Sequence, residues 1–262
     1  MKRGASNRWL RAEMGKGLFF LCAVGIVLVT SSLAISAQPL ENYCYRETRG
    51  SDIRYFSWIL EGEDPLLLNA GDGVEQHFNV LDPQKASRVW HLTNEREKTD
   101  LSIRRNGRSL QLTGLFFGRH LERVVTIDDA PWYQALSVGL RNLLQSQTAT
   151  LEFWMVRPDT LDVRRMRAER RALEDIETED GKRQARHIRI TAVGIPSWVW
   201  RGDYWFDEDA EVFLRYQGRS GPPGAPLNLI ELSSKPVAEC SADFGTSLMD
   251  VVRDFESGEE KR

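Results

Sequence analysis

The residues best equipped to contact a ligand in this chain are aromatic. Seven tryptophans follow residue 37: Trp58, Trp90, Trp132, Trp154, Trp198, Trp200 and Trp205. Indole rings bury large apolar areas, so such a set builds either a β core or an aromatic-lined pocket for an acyl chain or a sugar. The pocket reading singles out Trp58, Trp154, Trp198, Trp200 and Tyr204 as ligand-binding residues. Trp198 and Trp200 share a face if their segment is a regular strand.

Residue types that carry catalysis or hold metals form no comparable set. His77, His91, His120 and His187 do not fall at metal-ligand spacing, and the chain has no H-E-x-x-H, no G-x-S-x-G and no P-loop. Each histidine reads as a strand or surface residue. Asp207, Glu208, Asp209 and Glu211 could gather calcium oxygens, but they lack a glycine-spaced ligand loop and read as a solvated hairpin tip. Glycoside cleavage needs two carboxylates ~5–9.5 Å apart across a cleft. With 38 acidic residues, the sequence leaves that arrangement open. The arginines at 164, 165, 167, 170 and 171 are matched by Glu169, Glu174, Asp175 and Glu177, a mixed-sign solvated face. The reading is of a non-enzymatic chain with no cofactor and no metal.

Compartment follows from the first forty residues. Lys2, Arg3, Arg8, Arg11 and Lys16 precede an uncharged run from Gly17 to Leu40, which closes on Ala34-Ile35-Ser36-Ala37. This order of basic, apolar and small residues is that of a secretory signal peptide, cleaved after Ala37. The alternative is a retained anchor, since the run could cross ~30 Å of hydrocarbon. The expected location is periplasmic or otherwise exported, with the membrane met only during export. Residues 1–37 hold five of the 35 basic and one of the 38 acidic residues, so the remainder carries a net charge of −7. That sign argues against nucleic acid as a partner. Two cysteines remain, Cys44 and Cys240. In an oxidising compartment such a pair is a disulfide candidate; two buried free thiols are the alternative.

The elements that position these residues are mostly strands. Alternation through Ile188, Ile190 and Ala192, and again through Val212, Leu214 and Tyr216, marks half-buried strands. A hairpin tip at residues 207–210 would set Phe206 opposite Glu211, Trp205 opposite Val212 and Tyr204 opposite Phe213. The first strand is read at 53–60, followed by a loop from Glu61 to Gly73. Strands follow at 74–80 and 88–93, then at 100–105 and 109–113 around Asn106-Gly107, a hairpin-forming pair. Others fall at 121–127, 150–156 and 227–232. Residues 161–178 suit helix by composition, yet Met166, Ala168, Ala172 and Ile176 share strand parity, and strand is preferred. Asp128, Asp129 and Pro131 announce a helix, and Trp132, Leu136, Leu140, Leu143 and Leu144 follow at helical spacing. An amphipathic helix is therefore expected at 131–146, and a second, surface helix after Cys240 through Phe255.

Three pieces carry a resemblance: Ala135–Arg141 (ALSVGLR), Glu177–Ile190, and Asp203–Asp207 (DYWFD) leading to Arg215 and Tyr216. Together they resemble an uncharacterised family of exported bacterial proteins whose members are half-open antiparallel barrels. In shape these are similar to the periplasmic lipoprotein carriers LolA and LolB. The resemblance covers about residues 100–232. It implies a curved sheet around a helix, with an apolar concave surface of the kind the carriers use for acyl chains. It assigns no catalytic residue.

The expected architecture is a mainly β domain at 38–240, an open antiparallel barrel packed on one helix, followed by a helical tail at 241–262. The leading functional expectation is binding or carriage of an apolar or amphiphilic, lipid-like molecule in the envelope. A structural or interaction protein with a filled core, partnered by another envelope protein, is the alternative. A carbohydrate-active hydrolase is the third.

Overall fold

The computed structural model describes residues 40–219 and 225–240. The expected signal peptide and C-terminal tail helix lie outside these residues.

Fourteen strands form one antiparallel sheet. The first eight are β1 (Glu41–Arg49), β2 (Asp52–Glu61), β3 (Leu66–Gly71), β4 (Glu75–Leu81), β5 (Ser87–Asn94), β6 (Thr99–Asn106), β7 (Ser109–Phe116) and β8 (Arg119–Thr126). Two short helices follow, α1 (Leu136–Gly139) and α2 (Arg141–Gln145). The chain then returns through β9 (Thr150–Val156), β10 (Val163–Thr178), β11 (Gly181–Ala192), β12 (Arg201–Asp207), β13 (Phe213–Arg219) and β14 (Leu227–Ser233). The spatial order is β8-β7-β6-β5-β4-β3-β2-β1-β14-β13-β12-β11-β10-β9. Two meanders thus meet where β1 pairs with β14, and the sheet's margins are β8 and β9.

Burial shows that the sheet is rolled. Tyr45 of β1, Trp58 and Leu60 of β2, Leu68 of β3, Ile188 and Ile190 of β11, and Tyr204 and Phe206 of β12 share one buried cluster with Leu136, Val138, Leu140 and Leu143. A flat sheet cannot bring strands so far apart in order onto one pair of short helices. The wing β5–β8 packs its inner residues Trp90, Leu92, Leu101, Ile103, Leu110 and Leu112 on Ile127, Trp132, Val156 and Leu161. The two margins are not joined by a ladder. Instead Pro131–Gln134 ties β9 to the start of β5: Trp154 N–H donates to the Pro131 carbonyl (2.7 Å), Tyr133 N–H to the Trp154 carbonyl (2.9 Å), and Ser87 N–H to the Trp132 carbonyl (2.7 Å). The result is the mainly β, half-open antiparallel barrel with an internal helix that the sequence implied.

Several local expectations change. The helix starts at Leu136 rather than Pro131, because the margin of β9 claims the backbone of residues 131–133. Asp128, expected as a helix cap, accepts from Trp154 Nε1 (2.7 Å) and Ala130 N–H (3.0 Å). Gly139 lies against the Tyr133 ring, where a Cβ would come within 2.7 Å of it. Strand β1 precedes the expected first strand; its inward set includes Glu47 and Arg49, which breaks the apolar alternation. Residues 66–71, read as loop, are β3. Residues 163–178 are strand, as preferred. At the β12–β13 hairpin Phe206 faces Phe213, Trp205 faces Arg215 and Tyr204 faces Tyr216, with a bulge between Trp205 and Phe206 that leaves Leu214 without a partner in the ladder. Asp207 causes the shift: its carboxylate accepts from Asp209 and Ala210 N–H (3.1 and 3.0 Å), and Glu211 takes φ +55°. The β6–β7 turn is centred on Gly107 and Arg108, with Asn106 paired to Ser109.

Cys44 and Cys240 are bonded, with Cα atoms 5.8 Å apart. Cys44 sits on the outward face of β1, and Cys240 ends the short 3-10 turn at Val237–Glu239.

Candidate functional site

Between α1 and the concave face lies a cavity of about 380 Å³. Its floor is set by Ala135, Leu136 and Ser137 of the helix approach, with Trp58 and Leu68 from β2 and β3. Phe56, Ile190, Phe213 and Ile230 supply apolar wall, and Tyr204 and Tyr216 supply wall with a polar tip. The helices lie at the end of the barrel where β1 begins. The β1–β2, β9–β10, β11–β12 and β13–β14 connections therefore lie at the opposite end. From those connections Arg49, Arg157, Asp159, Trp200 and Arg219 border the cavity. Exposed Arg49, Asp159 and Arg219 mark this end as its mouth.

Trp58 is buried and tied down, its Nε1–H donating to Ser137 Oγ at 3.0 Å. The Tyr204 and Tyr216 rings stand 4.8 Å apart. Gly218 leaves room for the Tyr216 ring; a Cβ there would collide with the phenol. Burial holds the Tyr204 phenol well above its ordinary pKa and pushes Tyr216 up to about 12, with Glu47 adding to the latter. Both hydroxyls therefore stay protonated, and neither has a hydrogen-bond partner among the described residues. Asn79 and Asn228 also border the cavity, each with a buried carbonyl oxygen that lacks a partner. Asn228 cannot be turned over, because its Nδ2–H donates to the Glu47 carboxylate at 2.7 Å.

Behind one wall runs a charged network. Glu47 is 4% exposed and binds Arg54 and Arg49. Arg54 reaches on to Glu75 at 3.4 Å. Trp90 Nε1–H donates to His77 Nδ1 (3.2 Å), which leaves the His77 Nε2–H to donate to Glu75 (2.9 Å). Burial alone would raise the Glu75 pKa, but His77, Arg54 and Asn94 override it and lower it to about 2.

Of the five aromatic residues singled out from sequence, the structure brings Trp58, Trp200 and Tyr204 together around the cavity. Trp154 sits on β9, held by Asp128 and under Arg165, and does not border it. Trp198 is 78% exposed on the loop at 193–200, which is not a strand, so the shared face with Trp200 does not exist. Sequence reasoning missed His77, Asn79, Asn228, Arg49, Arg219 and Tyr216. The readable signal for Asn79 and His77 was polar residues at the inward parity of a strand.

A second cluster lies on the outer face. His187, 6% exposed, stacks on Trp205 with centroids 4.9 Å apart and sits between Glu174 (2.5 Å) and Asp203 (2.7 Å). Burial pushes the Asp203 carboxyl up, but hydrogen bonds from His187 and Arg189 outweigh it and hold it below its ordinary pKa. The pair reads as a clamp between β11 and β12. Among the described residues no group of three His, Cys, Asp or Glu is placed to hold a metal ion. The cavity is bordered by one carboxylate, Asp159, which binds Arg157 at 2.5 Å. The two facing carboxylates that glycoside cleavage requires are not on this lining.

The fold is similar to that of a solved structure of low sequence identity, and two others match more loosely. A β-barrel-like protein of a domain of unknown function from Brucella abortus matches with TM-score 0.51 and 8% identity, over 74% of this chain and 98% of that one. The hypothetical lipoprotein YmcC from Escherichia coli matches at TM-score 0.33 and 10% identity, over 75% and 86% of the two chains. A putative lipoprotein from Parabacteroides distasonis matches at TM-score 0.29 and 10% identity, over 73% and 92%. The Brucella likeness is one of fold. No protein-family model and no curated protein matches the sequence.

Proposed function

We propose that this is an exported envelope protein that holds an apolar or amphiphilic molecule of acyl-chain type in the rolled sheet, without chemistry on it. The observation that carries this reading is the cavity of about 380 Å³ between helix and sheet. It falls within the ~300–1,000 Å³ typical of small-molecule sites, which are mostly apolar with a few placed polar groups. Each CH₂ moved from water into such a lining contributes ~0.8 kcal/mol, so a single chain gives useful affinity. Export is supported by the bonded cysteines, which persist in oxidising compartments, and by the leader-like order of residues 1–37.

The test is extraction of the purified protein followed by lipid mass spectrometry, with titration of a fluorescent fatty acid. Ala70 borders the cavity, and a phenyl ring at that position would occupy it. The substitution Ala70→Phe is expected to weaken probe binding at least about tenfold, because the apolar area available to the chain falls. The thermal midpoint should hold or rise. A protein that carries no lipid and ignores the probe in parent form would defeat this reading.

A second reading, an interaction protein of the envelope, is favoured by one observation: Trp198 is exposed on a loop beside the mouth. A photo-crosslinker at position 198 in intact cells should then trap a partner protein. Recovery of monomer alone would count against it.

A further inference from the structure

The cavity has two chemically different ends. Its deep part is bordered mainly by indole, phenyl and aliphatic groups, with Ser137 and Asn79 as polar points. Its mouth is bordered by three arginines, Arg49, Arg157 and Arg219, and one acidic residue, Asp159. Arg157 is matched by that carboxylate, with contacts of 3.1 and 2.5 Å. Arg49 reaches Glu47 at 3.4 Å, but Glu47 is already shared with Arg54 and Asn228. Arg219 donates to the Ala225 carbonyl and has no carboxylate partner among the described residues. Its own carbonyl accepts from Trp200 Nε1–H at 2.9 Å, which fixes the strand end carrying it. Asn228 is 6% exposed, pairs with Arg49 in the β1–β14 ladder and keeps a carbonyl oxygen without a partner. The mouth thus presents an excess of positive charge in a chain whose balance is acidic overall.

We propose that the bound molecule is an anionic amphiphile seated head-out, its carboxylate or phosphate between Arg49 and Arg219 and its hydrocarbon chain running inward past Phe56, Tyr204, Phe213 and Ile230. This rests on the reading of the cavity as an acyl-chain site and adds the charge and direction of the ligand. Guanidinium groups suit these heads because their fork of N–H donors matches a carboxylate or phosphate. A charge-assisted hydrogen bond contributes ~1.5–3 kcal/mol, which corresponds to about a tenfold preference or more.

The experiment uses the purified parent and an Arg49→Gln/Arg219→Gln double variant, with four single-chain ligands of equal length displacing a fluorescent probe. The heads are carboxylate, monophosphate, alcohol and trimethylammonium. The parent should bind the carboxylate or the phosphate about tenfold more tightly than the alcohol, and the ammonium most weakly. Which anionic head wins separates a fatty acid from a phosphate-headed lipid. The double variant should lose this preference, binding the carboxylate and the phosphate no more tightly than the alcohol. Equal affinity of the parent for all four heads overturns the proposal and leaves the acyl-chain site standing. So does a preference that survives in the variant. Failure of every chain to bind the parent overturns both.

Discussion

Reduction of the Cys44–Cys240 bond, or the substitution Cys240→Ser, will lower the unfolding free energy by several kcal/mol. The bond spans 196 residues and so closes nearly the whole described domain into one loop. In the chain-entropy model a loop of that size removes ~5 kcal/mol of freedom from the unfolded state, and loss of native disulfides typically costs ~2–5 kcal/mol. Whole domains are stable by only ~5–15 kcal/mol, so the loss should be visible as a large drop in Tm. Its location sharpens the expectation. Cys44 lies on β1, which alone joins the two meanders through β14. The measurement is urea unfolding with and without reductant, followed by tryptophan fluorescence. Midpoints that coincide would show that the bond holds nothing the sheet does not already hold.

Acid will unfold the protein through Glu75. Its carboxyl drops from 4.5 to about 2 in the folded state. A depressed carboxyl contributes stability that is present above its unfolded pKa and is lost as pH falls through the folded value. The window therefore runs from about pH 4.5 down to about pH 2. A shift of this size corresponds to ~3 kcal/mol by linkage, an order-of-magnitude figure. Asp203, also held below its ordinary pKa, acts in the same direction. The variant Glu75→Gln should lose ~2–3 kcal/mol at pH 7, because Arg54 is left partly buried with one carboxylate fewer. It should also show a shallower acid limb. Denaturant unfolding at a series of pH values reads both, and a variant with the parent's stability at pH 7 and the parent's acid limb would refute the assignment.

The second half of the chain was more legible than the first. Strand β11 carries regular alternation, and the DYWFD and ALSVGLR pieces bring a resemblance with them. Strand β1 was hidden because Glu47 and Arg49 occupy inward positions where a pattern reader expects apolar groups. Strand β3 was hidden by Pro65 before it and the Gly71-Asp72-Gly73 turn after it. The helix was placed correctly but begun too early. Asp128 and Pro131 look like a cap and first turn, and only the tertiary demand of the β9 margin keeps residues 131–133 out of the helix. The site was half visible. Trp58, Trp200 and Tyr204 were found because aromatic residues stand out. His77, Asn79 and Asn228 were not, since a polar residue facing inward has meaning only once the sheet is known to roll around a space.

The meeting of β1 and β14 has a kinetic consequence. Each meander is built of neighbours in sequence, so β1 to β8 can zip together hairpin by hairpin while the rest of the polypeptide is still being delivered. The β1–β14 ladder pairs residues such as Cys44 and Ser233 and must wait for the final strand. Contacts that distant in sequence form late and slowly. Oxidation of Cys44 with Cys240 would then act as a timestamp on maturation, since it can be written only once the last joint has been brought into place.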